Sequence, residues 1–160
     1  MIHINIVCVG KIKEKYLKDS INEYSKRLSK YCKLNIIELQ DESLPNKINE
    51  NTIKEIKSKE GIKIIDAIKN SSYVISLDLK GKQFSSEEFA DKIEKISTRG
   101  FSEISFIIGG TLGLDEKVIE ISNELICFSK MTFPHQLIRV FLLEQLFRSF
   151  KILNNETYHW

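Results

Sequence analysis

Five short apolar runs alternate along the chain with longer segments of helical periodicity. The runs cover residues 4–9, 34–39, 73–79, 104–108 and 125–128, and they are rich in Ile and Val. Because they are apolar at consecutive positions, both of their faces are expected to be buried, as in a parallel sheet. The longer segments carry apolar residues three or four positions apart, which is typical of helices with one buried face. The alternation predicts an α/β fold in which helices cover both faces of a parallel sheet.

Two helix starts can be read directly from residue types. Ser85 and Glu88 have the spacing of a capping box, in which each side chain binds the backbone N–H of the other residue. Pro134 is of a type favoured at the first position of a helix, and it predicts a last helix that runs to about Phe150.

The composition fits one domain that spans residues 1–160. Hydrophobic residues make up 42% of the chain and charged residues 29%, which is ordinary for a globular protein. A chain of this size buries roughly 70% of the surface that it exposes when unfolded. We find no repeat, low-complexity segment or flexible linker.

No apolar run approaches the roughly 20 residues of a membrane span, and the N-terminus does not resemble a secretory signal. Cys8, Cys32 and Cys127 show no CxxC spacing, so they are expected to be free thiols in a reducing compartment. The three His residues are too scattered for a metal site of recognisable spacing. These features predict a cytoplasmic protein without a metal and without a membrane contact.

The last predicted helix is apolar nearly all round. Every residue of 137–143 except Arg139 is apolar, whereas a helix that is covered on one side needs only a stripe. A homodimer contact through this helix is one explanation. The other is that the helix is buried centrally within one chain.

A glycine-rich turn follows the fourth predicted strand in the sequence IIGGTLG, residues 107–113. Ligands of open α/β sheets bind beyond the carboxyl ends of strands, and glycine lets a ligand approach the backbone. The spacing is GGxxG, which fits neither the dinucleotide fingerprint nor a P-loop. A tight structural turn is an equally good interpretation of this segment.

The segment 128–140 also follows a strand and opens a helix. It contains hydroxyls, a Lys and a Met, and helical spacing places His135 and Arg139 on one face. It could form a binding loop or a connector with a solvated His135. The aromatic end of the chain, Tyr158, His159 and Trp160, could stack on bases and exchange protons, or it could simply pack on the domain surface.

Several of these segments together resemble the SPOUT superfamily of methyltransferases, and in particular bacterial members that act on ribosomal RNA. They are VGKIKEKY near the start, the IGGTLG turn, the block FSKMTFPHQLIRVFLLEQLFRSFKI and the closing YHW. The resemblance runs essentially the full length. It implies a knotted α/β domain with a C-terminal trefoil knot, although knots are nearly absent from proteins in general. It also implies a homodimer with the last helix at its interface.

The resemblance implies S-adenosyl-L-methionine as the methyl donor. It assigns eight residues to the binding of this cofactor: Leu77, Gly109, Phe128, Ser129, Lys130, Met131, Thr132 and Phe133. The implied reaction is methylation of N3 of a pseudouridine in 23S rRNA within the assembled 70S ribosome. The alternatives are a SPOUT methyltransferase of another rRNA or tRNA site, and a flavodoxin-like nucleotide-binding module without methyl transfer.

Residue type and placement suggest catalytic roles for three residues. We expect Arg139 to hold a phosphate or an anionic base edge, and His135 or His159 to accept a proton or orient the base. Contacts with the substrate RNA are expected from Arg139, Tyr158 and His159. Trp160 extends one residue beyond the Tyr-His pair of the family, which leaves the pose of the tail open.

The net charge of +2 conceals an uneven distribution. Residues 11–33 hold eight basic residues and three acidic ones, whereas residues 101–128 hold one basic and five acidic residues. The basic first helix is a candidate for phosphate contact. A solvated helix face is the alternative, because such charge runs are common on ordinary helices.

Overall fold

Ten elements alternate regularly in the computed structural model, which describes residues 1–158. The strands are β1 (Ile2–Val9), β2 (Cys32–Leu39), β3 (Tyr73–Lys82), β4 (Glu103–Ile108) and β5 (Glu124–Ile126). The helices are α1 (Lys15–Leu28), α2 (Glu50–Ala67), α3 (Ser86–Thr98), α4 (Glu116–Ile121) and α5 (His135–Leu153).

All five strands belong to one parallel sheet with the order β2-β1-β4-β3-β5. Helices α1, α3 and α5 pack together on one face, and α2 and α4 pack on the other. β4, which lies in the middle of the sheet, is buried at all six of its positions. The predicted fold class, a parallel sheet with helices on both faces, is confirmed. The trefoil knot is a matter of how the chain is threaded, and it stays a prediction.

The predicted helix starts are confirmed with one adjustment. Ser85 caps α3 in a complete capping box with Glu88. Pro134 is the residue before the first turn of α5 rather than the first helical residue. Helix α5 runs on to Leu153, one turn beyond the predicted end.

The fifth strand is shorter than predicted, since it ends at Ile126 instead of residue 128. The backbone N–H of Cys127 donates to the carbonyl of Lys82 at 3.0 Å, and the Cys127 thiol donates to the carbonyl of Ser129 at 2.9 Å. These bonds turn the chain out of the sheet. Residues 127–134 consequently form a loop at the carboxyl edge.

Gly81 allows β5 to lie against the far end of β3. A Cβ atom at this position would stand 2.5 Å from the carbonyl carbon of Ile126, closer than real Cβ atoms approach any backbone. The register of the two strands is irregular here, because Ile126 pairs with both Leu77 and Lys82. The close contact therefore sets where the 127–134 loop leaves the sheet.

Helix α5 is not wholly buried within one chain. Its inner face supplies five buried residues to the larger core cluster: Leu142, Leu143, Leu146, Phe147 and Phe150. Its outer face leaves Leu137, Val140 and Phe141 partly exposed. Apolar side chains therefore remain available for a further contact. Within residues 1–158, no helix combines the length and apolar character needed to cross a membrane.

Candidate active site

A cavity of about 710 Å³ opens at the carboxyl edge of the sheet, beyond β3, β4 and β5. Its walls are the segments 77–80, 108–114, 126–129 and 131–134, together with the first turn of α5 and with Lys57, Glu116 and Ile119 of α2 and α4. This volume lies within the range of about 300–1,000 Å³ that small-molecule sites occupy. The glycine turn and the loop before the last helix, two separate candidates in the sequence, therefore border one cavity.

Most of the residues that the resemblance assigns to cofactor binding border this cavity. They are Leu77, Gly109, Phe128, Ser129, Met131, Thr132 and Phe133. Lys130 is the exception, because its exposed side chain does not line the cavity. A cofactor contact from Lys130 stays a prediction, and only its place in the loop supports it.

The 127–134 loop presents backbone donors that the rest of the described chain does not use. Ser129 Oγ accepts a hydrogen bond from the N–H of Met131 at 3.1 Å, and the Phe133 ring packs edge-on against Phe141 with centroids 5.6 Å apart. Within residues 1–158, no hydrogen bond engages the remaining peptide N–H groups of residues 128–133. Such groups can pair with the edge of a heterocycle.

Gly109 brings the backbone close to the cavity. A Cβ at this position would meet Leu114 Cδ2 at 2.9 Å and the carbonyl carbon of Gly113 at 3.0 Å. Gly110 and Gly113 form an antiparallel bridge within the same turn. The turn is therefore tight, as the structural interpretation of IIGGTLG predicts. It also forms one wall of the cavity, and ligand binding at this wall stays a prediction.

His135 is the first residue of α5 and is partly buried. It lines the main cavity and also a smaller neighbouring one. Burial lowers the pKa of its imidazole below the usual 6.5, the charge of Arg139 lowers it further, and Asp41 opposes both effects. Its ring nitrogens make no hydrogen bond with any residue of the described chain. The imidazole is therefore neutral near pH 7 and able to accept a proton.

Arg139, one turn further along α5, is only 2% exposed. Its Nη1 donates to Glu38 Oε2 at 2.9 Å, and its Nη2 donates to the carbonyl oxygens of Val9 and Gly10 at 3.0 and 2.8 Å. These bonds tie α5 to the ends of β1 and β2. A guanidinium buried in this way does not reach a phosphate, which differs from the direct RNA contact predicted for it.

Tyr158 packs on α5, away from the main cavity. Its hydroxyl donates to Glu144 Oε2 at 2.7 Å, and its ring lies edge-on against Phe147 with centroids 5.0 Å apart. Burial and the Glu144 carboxylate raise the pKa of Tyr158 to about 12, so the hydroxyl keeps its proton at neutral pH. The other two residues of the predicted tail, His159 and Trp160, lie outside the described residues.

Sequence reasoning missed two carboxylates at this edge of the sheet. Glu38 is the one charged residue among the apolar positions 36–39, and it receives hydrogen bonds from Arg139 and from the N–H of Ile12. Glu60 lies on α2 at the same helical spacing as the apolar Ile56 and Ile64, and it is 5% exposed. In each case the sequence offered one signal, namely a charged residue at a position where the surrounding pattern is apolar.

Taken together, the parallel sheet, the cavity at its carboxyl edge and the loop that leads into the last helix define an α/β protein that binds a small molecule at that edge. The sequence matches the family model described as predicted SPOUT methyltransferase over residues 2–159, and the chain belongs to that family. It is therefore a methyltransferase rather than a nucleotide-binding module without methyl transfer. The family implies a methyl donor as the small molecule.

Close relatives match over nearly the whole chain. The chain is 60% identical to a protein of Clostridium acetobutylicum named Ribosomal RNA large subunit methyltransferase H, over 98% of this chain and 99% of the relative. It is 54% identical to a Clostridium perfringens protein named Ribosomal RNA large subunit methyltransferase H 1, with the same coverage.

Solved structures resemble the chain in fold at low sequence identity. One is a probable methylase family protein from Haemophilus influenzae Rd KW20, with a TM-score of 0.54 and 12% identity, which covers 98% of this chain and 70% of that one. Another is a putative methylase family protein from Neisseria gonorrhoeae, with a TM-score of 0.52 and 10% identity over 91% of this chain and 82% of that one. These similarities concern the fold alone.

Proposed function

We propose that this chain transfers a methyl group from S-adenosyl-L-methionine to N3 of a pseudouridine in 23S rRNA, within the assembled 70S ribosome. The observation that carries the proposal is the main cavity, in which the 128–133 loop and His135 face the same space. The names of relatives that are 54–60% identical support rRNA as the substrate. Action on ribosomes implies that the protein works in the cytoplasm.

The walls of the cavity fit S-adenosyl-L-methionine. Leu77 and Met131 offer apolar surface for its adenine, and the free peptide N–H groups of the 128–133 loop suit the polar edge of that ring. Gly109 allows the tight turn that places residues 109–113 along the cavity wall. When bound, this cofactor supplies a methyl group that is electrophilic because its sulfur is positively charged.

Methylation of N3 replaces the proton of that nitrogen, so a group must accept this proton as the new N–C bond forms. His135 suits this role, since it lines the cavity and its lowered pKa keeps it neutral. The remaining contribution to catalysis is alignment of the acceptor nitrogen with the methyl group, which can be worth many orders of magnitude in rate.

Arg139 acts in this proposal as a positioning residue. It fixes the first turn of α5 against Val9 and Gly10, and its charge helps to keep His135 neutral. Direct RNA contact is left to other groups, and we retain Tyr158 and His159 as candidates for it. The hydroxyl of Tyr158 already binds Glu144, and its ring packs against Phe147 and Arg148. An RNA contact would therefore use the part of the side chain that stays exposed.

The start of α1 is the second candidate for RNA contact. Gly10, at the end of β1, lies beside His135, with 3.7 Å between its ideal Cβ position and Nε2. The exposed Lys11 and Lys13 follow directly, and Tyr16 is 68% exposed. Ammonium groups and an open aromatic ring suit phosphates and unstacked bases respectively.

We further propose that residues 1–160 act as one methyltransferase domain and assemble as a homodimer. The partly exposed apolar residues on the outer face of α5 support a contact between two copies of this helix. Light scattering should give twice the mass of one chain at micromolar concentration. A strictly monomeric mass would exclude this part of the proposal.

Mass-spectrometric mapping of 23S rRNA tests the reaction. Ribosomes from a deletion strain should lack one N3-methylated pseudouridine, and the complemented strain should regain it. Purified protein should methylate 70S ribosomes from the deletion strain, and calorimetry should detect binding of S-adenosyl-L-methionine but not of FMN. If the missing methyl group were instead in tRNA or at another rRNA position, the substrate assignment would be wrong.

A further inference from the structure

A second cavity, of about 240 Å³, adjoins the main one at the carboxyl edge of the sheet. The two cavities share the turn residues 110–112 and His135. We propose that the second cavity receives the target nucleobase and that the Glu60 carboxylate accepts one of its N–H groups. The inference rests on the proposed function and adds to it the site that reads the base.

The position of the second cavity is one at which open α/β sheets bind ligands. From β1 the chain goes to α1 on one face, whereas from the neighbouring β2 and β4 it goes to α2 and α4 on the other face. Such a divergence opens a crevice beyond the strand ends. The second cavity lies in that crevice, bordered by Val9 at the end of β1 and Gly110 after β4.

The size of the cavity suits a single-ring base. Its volume is below the range of about 300–1,000 Å³ that is typical for larger ligands. A base inside a folded RNA must first leave its stack before an enzyme can act on it, and it is then held in a closely fitting pocket. Val9, Ile56 and Leu112 provide apolar surface for the faces of such a ring.

The acidic side chains that line the cavity accept hydrogen bonds only, beside the hydroxyls of Ser43 and Thr111. Asp41, Glu42 and Glu60 contribute carboxylates. Glu42 is already occupied, since its Oε1 accepts from Lys63 Nζ at 2.9 Å. The structure gives no hydrogen bond to the Asp41 carboxylate from any residue within 1–158. Acceptors of this kind select a ligand with N–H donors.

Glu60 is the most specific feature of this lining. Only 5% of the residue is exposed, and its Oε2 accepts one hydrogen bond, from the N–H of Glu42 at 3.0 Å. Its Oε1 faces Gly110, 3.2 Å from where a Cβ would stand, and accepts no hydrogen bond from the described residues. This oxygen keeps some accessible surface and its lone pairs have no protein donor, so it can accept an N–H from a ligand in the cavity.

Pseudouridine provides the donor pattern that this arrangement requires. Its base is linked to the sugar through carbon, so N1 and N3 both carry protons, whereas N1 of uridine is bonded to the sugar. With N3–H directed at His135 on the shared wall, N1–H remains for Glu60. A site that binds a substrate N–H through a buried acceptor rejects the analogue that lacks this group.

The test compares Glu60→Gln with the wild-type protein on two kinds of 70S ribosome, one with pseudouridine and one with uridine at the target. The amide introduced by this substitution can keep the bond from Glu42 N–H through its oxygen and then presents N–H groups to the cavity. We expect the rate on pseudouridine ribosomes to fall by about 10- to 100-fold, as for one lost charged hydrogen bond. The preference for pseudouridine over uridine should shrink by a similar factor.

Glu55→Gln is the matched control, because Glu55 lies on the same helix in an exposed ion pair with Lys59. It should leave both rates unchanged. Calorimetry should give Glu60→Gln the same affinity for S-adenosyl-L-methionine as the wild type, within twofold. If Glu60→Gln does not fold, Glu60→Asp takes its place: the shorter side chain withdraws the carboxylate from the base, so the same loss of preference is expected.

Two results would overturn the inference. One is an unchanged preference for pseudouridine in the Glu60 variant. The other is a loss of S-adenosyl-L-methionine affinity that matches the loss of rate, because the second cavity would then belong to the cofactor site. Failure of the wild-type protein to methylate either ribosome would be a different outcome, since it would reject the proposed function itself.

Discussion

Arg139 Nη1 lies 2.9 Å from Glu38 Oε2, although the two residues are 101 positions apart in the chain. The same Glu38 oxygen accepts the backbone N–H of Ile12 at 2.8 Å. One carboxylate thus joins the end of β2, the loop before α1 and the first turns of α5. These are the segments that carry His135 and the basic residues beside it.

Glu38→Gln should destabilise the protein by about 1–3 kcal/mol, because it leaves a buried guanidinium without its charged partner. Urea unfolding followed by circular dichroism measures this change in the free energy of unfolding. Asp19→Asn is the control, since its ion pair with Lys15 lies on the open surface and should contribute less than about 1 kcal/mol. If the two substitutions lowered the free energy of unfolding equally, the burial of Arg139 would not make its ion pair more stabilising than an exposed one.

His135 should give the methylation rate a characteristic pH dependence. Only the neutral imidazole accepts a proton, so the single-turnover rate on 70S ribosomes should rise with pH through a pKa below 6.5 and then level off. Arg139→Met removes a charge that lowers this pKa, so the rising limb should move to higher pH. Asp41→Asn removes a charge that raises it, so the limb should move to lower pH.

Two results would contradict this role for His135. One is a His135→Gln protein that keeps the wild-type pH profile. The other is a pair of Arg139 and Asp41 variants whose profiles shift in the same direction. Proton NMR of the imidazole gives the pKa in each variant independently of the rate.

Gly81→Ala should be severely destabilising, by about 3 kcal/mol or more, because the new Cβ would meet the backbone of Ile126 at 2.5 Å. Binding of S-adenosyl-L-methionine should be lost with it, since the 127–134 loop begins at that strand end. Gly100→Ala is the matched control. Gly100 has φ of +98° but no atom near its Cβ position, so it should cost only about 1–2 kcal/mol and leave binding intact. Thermal unfolding and calorimetry distinguish the two cases.

Lys11 and Lys13 should contribute to ribosome binding through their charge. The double change Lys11→Gln and Lys13→Gln should weaken binding at low salt and make the dependence of affinity on salt less steep, by about 0.7 in the log–log slope per lost phosphate contact. Lys26→Gln with Lys33→Gln removes the same charge from exposed sites at the other end of the basic segment and should change the slope little. Equal slopes in both double variants would indicate that only net charge matters.

Local sequence patterns were sufficient to predict the elements of this fold and part of its site. Strand and helix periodicity predicted the α/β class, and glycines after a strand predicted that residues 109–113 border a cavity at the carboxyl edge. The capping box at Ser85 was readable because both of its members are close in sequence. Interactions of this kind depend on neighbours within one turn.

Contacts between distant segments could not be read in this way. Nothing near Arg139 indicates that its partners are Glu38 and two carbonyl oxygens at the end of β1, so a long cationic side chain was interpreted as an RNA contact. Glu60 was overlooked for the same reason, because only the packing of α2 against the glycine turn buries it. The order of the strands, with β5 beside β3, likewise depends on pairing across the whole chain.

Helix α5 follows every strand in the chain and yet packs between α1 and α3. Synthesis proceeds at about 5–20 residues per second. The apolar faces of those two earlier helices therefore stay exposed until α5 has been synthesised and can pack on them. With these apolar faces exposed, the nascent chain is prone to association until α5 has been synthesised. The helix that carries His135 is then the last element added to the core, so a chain truncated before α5 lacks the proposed base and most of the cover of this core.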